Sequence, residues 1–377
     1  MLIFAAILAI FVYGMTAAML GTILPGLSDR FKLTPSQNGK IALAQALGLT
    51  LASLAVGPLI DARGDKTALL LGLILIALPV FLLPRASGFG GIVILLFVLG
   101  AGGGIVVTGA NVLANGAVTA ANRVMVANLV NLFFGLGGFA TPFLSANLLK
   151  KNSTRLCYTI ATFAVIALAV HSFTSMPAPS GGGFVLAQVG PILGKPLLFL
   201  LSALLFLYIT CEVGVWNWLP RHLIAQGVPE SSALNILSFG FALGLLFGRL
   251  GVSAVLRFIS PLHVLLAASI AMAIATFFML QTRKPGLAWA LVFLSGISMA
   301  PVFPTILALT GTAFPDLAGT ALGFVMTCGW TGLAVSSPII GAIAGGDPRR
   351  LKKALLLIPG AAVLMCGLVV AISSAMR

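Results

Sequence analysis

From Leu2 to Leu27 the chain carries no charged side chain, and apolar stretches like this one recur to its end, cut apart only by short charge clusters and prolines. A membrane span needs about 20 predominantly apolar residues. The stretches fall near 3–27, 38–60, 67–84, 90–115, 124–148 and 156–174, then near 197–219, 232–255, 262–281, 287–313, 318–344 and 354–375. Charged residues are 7% of the chain, against about 25% in soluble domains. So few charges cannot cover a water-facing surface, so lipid must be the solvent. The 43 glycines fit this reading, since small residues let membrane helices approach closely. The first stretch has no basic residue before it and no small-residue cleavage site after it, so it reads as a retained span.

The expected fold is therefore an all-α membrane protein with 12 transmembrane helices. Residues 175–196, rich in Pro and Gly, separate an N-terminal six-helix half (1–174) from a C-terminal one (197–377). Within the linker, Phe184–Leu193 reads as a short interfacial helix. The halves read as distant copies. Gly57 at the end of span two has a counterpart in Gly248, followed by Arg249, at the end of span eight; Pro142 in span five is echoed by Pro338 in span eleven. Parallel repeats of this kind are one transporter architecture, with substrate bound near the midplane. The four cysteines all sit inside apolar stretches without a C-x-x-C pair, which suits packing rather than metal binding or disulfides.

Polar groups inside spans are expensive and mark either interhelical glue or a pathway. Six of the 7 acids lie in connections or at span ends; Glu212 alone lies well inside one, with Tyr208 and Trp216 a helical turn to either side on the same face. A carboxylate there suits proton binding or hydrogen bonds from a hydroxylated solute, and equally a structural pairing. Asn111 in span four, with Thr108 and Asn115, and Asn131 in span five, with Asn128, form amide stripes; amides offer both donors and an acceptor to a sugar, or simply tie helices together. Gln45, Asn235 and Trp330 are further candidates for substrate contact. Pro301 and Pro304 should loosen span ten. The three histidines make no metal spacing.

The segment Gly57-Pro-Leu-Ile-Asp61-Ala-Arg-Gly64-Asp-Lys66 resembles the loop between helices two and three of the major facilitator superfamily, G-x-x-x-D-(R/K)-x-G-(R/K)-(R/K). Ala62 and Asp65 depart from that pattern. Asp61 at a span end is placed to pair with a base or to cap a neighbouring helix, and Gly64 permits a tight turn. Gly57, Asp61, Gly64, Lys66 and Arg249 are thus candidates for a conformational latch. The stretches 100–115, 131–142, 208–220 and 295–315 resemble the sugar-transporting branch typified by the fucose permease.

That resemblance implies a sugar:proton symporter working by alternating access, with no cofactor, no metal and no enzymatic activity, and with substrate contacts from Asn111, Asn131, Glu212, Trp216, Gln45, Asn235 and Trp330. It also implies a monomer in the bacterial inner membrane with both termini cytoplasmic. The acids this branch leads one to expect in helices one and four are missing, with Thr22 and Val107 near their places, so proton coupling falls to Glu212 or is absent. Under the implied orientation only seven of the 21 basic residues face the cytoplasm, the reverse of the positive-inside bias. The net charge of +14 keeps open an organic anion or acidic sugar as substrate. An uncoupled facilitator is a further alternative. Drug or lipid efflux is disfavoured by Thr141-Pro142-Phe143 at the end of span five.

Overall fold

A computed structural model of the chain describes residues 1–149, 152–177, 186–256, 258–282, 284–345 and 347–376. Lys150, Lys151, Arg257 and Arg377 of the charge count, and the middle of the linker, lie outside the described residues. Among the described residues every regular element is helical; in lipid a helix satisfies its backbone hydrogen bonds within its own segment. In chain order these are α1 (Leu2–Phe31), α2 (Pro35–Leu82), α3 (Phe89–Gly116), α4 (Arg123–Phe143), α5 (Ser153–Phe173), α6 (Leu186–Leu193) and α7 (Pro196–Ala225). There follow α8 (Glu230–Asn235), continued by a π-helical stretch Ile236–Ala242, then α9 (Leu243–Val255), α10 (Pro261–Gln281), α11 (Pro285–Met299), α12 (Val302–Ala313), α13 (Ala318–Ala344), α14 (Pro348–Leu355) and α15 (Leu357–Ala375).

Among the described residues eleven helical segments are long and apolar enough to cross a membrane. One of them, Gln37–Arg85, is 49 residues long and would run to roughly 70 Å if straight, more than twice a bilayer core of about 30 Å. It is two spans. Gly64, at φ 82° and ψ 164°, takes a conformation that only glycine adopts cheaply. Contacts with α3 show the reversal. Gln45 abuts Gly100 and Leu49 abuts Gly104, so the first half of α2 runs parallel to α3; Leu69 meets Gly109 and Leu75 meets Gly102, so the second half runs antiparallel. The chain thus makes 12 crossings, with helix bounds close to those read from the sequence. Its amphipathic helix Pro348–Leu355, before the last crossing, falls in what reads as a connection in the sequence.

The chain separates into two compact units. The first comprises Met1–Arg123, Val130–Ile192 and Gly311–Thr327. There α2 packs on α1, α3 and α5, with Gly48, Gly100 and Gly104 forming a seam where a helix backbone lies directly on its neighbour. The second comprises Val124–Leu129, Leu193–Thr310 and Cys328–Arg377. Its α15 packs on α7 and α10, and α11 on α9 and α10. A parallel glycine seam recurs there: Gly244 lies on Phe293 and Gly296, and Gly248 on Ile297 and Ala300. The helix breaks between Met299 and Val302, because Pro301 and Pro304 supply no N–H to the ladder.

Candidate functional site

In the first unit the loop after the first half of α2 reaches two helix ends. Asp61 accepts hydrogen bonds from the backbone N–H of Gly319 (3.0 Å) and Thr320 (2.7 Å), and from the Thr320 hydroxyl. These N–H groups open α13 and have no partner within that helix. Asp61 therefore caps, from 258 residues away, a helix end that also carries partial positive charge. Five residues on, Lys66 Nζ donates to the carbonyls of Ser172 (2.7 Å) and Thr174 (3.1 Å), at the partially negative C-terminus of α5. Gly57 makes the first contact possible: a Cβ there would stand 2.5 Å from the Gly319 carbonyl oxygen and 2.7 Å from Thr320 Cα. Of the two expected partners for Asp61, a base or a helix N-terminus, the structure supplies the second. Asp65, where the pattern calls for a base, has a buried Oδ1 with no hydrogen-bond partner among the described residues.

Sequence reasoning missed a second clasp beside this loop. Arg123 Nε donates to the Asn115 carbonyl (3.1 Å) at the end of α3, and its Nη1 to the Gly311 carbonyl (3.3 Å) and the Thr312 hydroxyl (3.3 Å) near the end of α12. One guanidinium thereby satisfies the exposed carbonyl ends of two helices, as its planar fork of donors allows. A cavity of about 410 Å³ lies alongside, bordered by Asp61, Asp65, Asn115, Arg123 and Asp316. The available signal was a lone arginine at a span start between two polar helix ends.

The amide stripes meet in the same unit. Asn131 Nδ2 donates to Asn111 Oδ1 at 2.8 Å, and Asn111 Nδ2 donates to the Val107 carbonyl at 2.8 Å. Both residues are buried. The pair ties α3 to α4, and Asn111 has both ends of its amide engaged within the protein. Gln45 is half-buried and its side chain has no hydrogen-bond partner among the described residues.

In the second unit Tyr208, fully buried in α7, sits against the Glu212 carboxylate and within electrostatic reach of the Arg249 guanidinium. Its hydroxyl stops short of a well-formed hydrogen bond. Arg249 is itself buried in α9, whereas Glu212 is half-buried. The Tyr208 ring lies 6.5 Å from that of Phe303, and Phe303 lies 6.2 Å from Trp330, a run of aromatic faces across α7, α12 and α13. The Trp330 Nε1–H is buried with no acceptor among the described residues. Trp216, more than a third exposed, packs edge-on to Phe241 at 5.2 Å. Asn235 is exposed and immediately precedes the π-helical stretch. Chemically the cluster combines an acid, a phenol, a buried cation, an unfilled indole donor and flat apolar faces. It can hold a small polar molecule by hydrogen bonds and stacking together; it has no nucleophile–base pair.

Comparison with known proteins gives a consistent result. The family model described as Major Facilitator Superfamily matches residues 6–337. The chain is 22% identical over 346 residues to the protein TsgA homolog of Erwinia tasmaniensis, covering 89% of this chain and 86% of that one. Among solved structures it is similar to the E. coli fucose:proton symporter FucP, with a TM-score of 0.85 at 17% identity and 98% of each chain covered. It is also similar to the human organic anion transporter MFSD10, with a TM-score of 0.79 at 15% identity, covering 97% of this chain and 98% of the other. At such identities these structural likenesses speak for the fold alone, but the family model spans most of the sequence. The chain belongs to the major facilitator superfamily and is a multi-pass integral membrane transporter of small molecules, not an enzyme.

Proposed function

We propose that the chain carries a small polar solute, a monosaccharide in the first instance, by alternating access of its six-helix halves 1–174 and 197–377 about the linker 175–196. The observation that carries this reading is the cluster in the second unit, where the one carboxylate placed well inside a span, Glu212, lies against Tyr208 and next to an aromatic run ending in the unfilled indole donor of Trp330. Flat apolar faces with adjoining hydrogen-bonding groups suit a pyranose, whose ring presents C–H faces and hydroxyl edges. Glu212 is assigned both substrate hydroxyls and the coupled proton. Trp216, Trp330, Gln45, Asn235, Asn111 and Asn131 are assigned to the substrate path, the last two as the pair that holds α3 to α4. Gly57, Asp61, Gly64 and Lys66, joined by Arg123, form the latch; its Asp61 contacts with Gly319 and Thr320 and its Arg123 contacts with Gly311 and Thr312 must break when access alternates. We place the protein as a monomer in the bacterial inner membrane, both termini in the cytoplasm.

A second reading has its own observation. Arg249 is a buried cation in the same cluster as Glu212, and a buried cation can pair with an anionic solute as readily as with a carboxylate. An organic anion or acidic sugar is then the substrate. Uptake into liposomes of labelled hexoses, a uronic acid and a cationic dye, with and without a pH gradient, decides between them. Hexose accumulation driven by the gradient supports the first reading, and uronate uptake without hexose uptake supports the second. Hexose uptake indifferent to the gradient leaves an uncoupled facilitator, and uptake of dye alone removes both readings.

A further inference from the structure

Helix α14 stands apart from the rest of the chain in its chemistry. Its eight residues, Pro348–Leu355, include Arg349, Arg350, Lys352 and Lys353, while Leu351, Ala354 and Leu355 are buried at 7%, 1% and 1% exposure. Asp347 caps its start, accepting from the Arg349 N–H at 2.8 Å. It is also the one acid paired with these cations among the described residues, lying 3.8 Å from an Arg350 that is 70% exposed. The helix is docked rather than loose: it packs on α7 and α15. The Leu356 N–H donates to the Lys353 carbonyl, and the Gly360 N–H donates to the Leu356 carbonyl across the bend into α15. Its cations therefore keep a fixed place.

The length of α15 sets that place. Its 19 residues rise about 28 Å, close to the thickness of a bilayer's hydrocarbon core. Leu357 thus marks the edge of the core and α14 lies at headgroup depth, with Leu356 and Leu357 exposed at 38% and 42% for contact with acyl chains. Trp218, near the C-terminal end of α7, has the Arg221 guanidinium 5.1 Å above its ring, a pairing typical of the membrane interface. Apolar residues facing inward, Arg349, Arg350 and Lys353 exposed with Lys352 partly so, and a depth at the headgroups are the features of an interfacial basic helix.

We infer that α14 is a binding surface for anionic phospholipid headgroups, its Arg349, Arg350, Lys352 and Lys353 engaging lipid phosphate on the membrane face opposite the C-terminus. Charge complementarity selects this occupant: four cations face one carboxylate, and at this depth the abundant anion is lipid phosphate. Each Lys or Arg near an anionic surface contributes about fivefold in affinity. The surface is independent of the transported substrate.

Native mass spectrometry of the full chain, titrated with phosphatidylglycerol or phosphatidylcholine, tests this. Wild type should retain phosphatidylglycerol at least tenfold more tightly. R349Q/R350Q/K352Q/K353Q should lose that preference, and R349K/R350K should keep it. K353Q, at an exposed position that leaves the helix packing untouched, should lower the preference about fivefold and guards against misfolding of the quadruple variant. Equal retention of the two lipids by wild type overturns the inference, as does a preference unchanged in K353Q and the quadruple variant. Displacement of the lipid by soluble glycerol phosphate at matching concentration would mean a free-anion site and would also overturn it.

Discussion

Replacing Gly57 by alanine should unfasten α13 from the loop after the first half of α2. The added methyl would lie 2.5 Å from the Gly319 carbonyl oxygen and 2.7 Å from Thr320 Cα. Carbon–oxygen contacts settle near 3.3 Å and carbon–carbon contacts near 3.5 Å, so both contacts call for a separation of about 0.8 Å. Neither neighbour is a flexible side chain; both are backbone, so the helices themselves must move. A displacement of that size along the Asp61 hydrogen bonds would take the Thr320 bond from 2.7 Å and the Gly319 bond from 3.0 Å to roughly 3.5 and 3.8 Å, past the working limit near 3.2 Å. Bonds to a charged acceptor contribute about 1.5–3 kcal/mol each. Asp61 is half-exposed, so the low end applies, and two lost bonds amount to about 3 kcal/mol, on the order of a hundredfold in the closed-to-open ratio. Hydrogen–deuterium exchange of the protein in nanodiscs reads this directly, since opening exposes the Gly319 and Thr320 amides. G57A should speed their exchange by about that factor. D61N should do much the same, and the double variant should add little, because both changes act on one contact. Unchanged exchange at these amides in G57A, or full additivity with D61N, would refute the close-approach reasoning.

Other expectations follow from the same geometry. Lys66→Ala removes the donor to the Ser172 and Thr174 carbonyls; the last turn of α5 should fray, with severalfold faster exchange at Thr174, matching a helix-terminus contribution of about 1 kcal/mol, and the start of α5 should not change. Glu212→Gln should abolish gradient-driven accumulation of solute in liposomes while sparing exchange across them; if accumulation survives, Glu212 is not the coupling group. Gly100→Ala places a methyl 2.0 Å from the Gln45 carbonyl oxygen, whereas Gly91→Ala meets nothing within 4 Å. The first should lower the yield of folded, monodisperse protein sharply and the second should leave it unchanged.

How much of this was legible beforehand depends on whether a property is local. Hydrophobic length is a matter between a segment and its solvent, so the spans, the linker and the all-helical class can be read directly from the chain. The reversal at Gly64 was legible too, because a glycine between charged residues at a span end has few other uses. Partners were harder. Asp61 could be recognised as a cap but its helix could not, since the Gly319 and Thr320 amides lie some 258 residues away in sequence. The pairing of Asn131 with Asn111 rests on the rotation of α4 against α3, which periodicity alone does not specify. Arg123 looked like an ordinary boundary charge until folding set the ends of α3 and α12 around it. Arg249, a latch candidate by its half-chain offset, is in the fold a buried cation within electrostatic reach of Tyr208.

The sequence by itself therefore determined the solvent, the number of crossings, the family and the chemical types available for a transport path, because these follow from the composition and spacing of each segment against lipid. Only the tertiary structure decided which carbonyls and amides meet Asp61, Lys66 and Arg123, and that the cations of α14 lie along one short helix docked on α7 and α15. Such contacts depend on where distant backbone ends come to rest, and that is settled by the packing of whole helices.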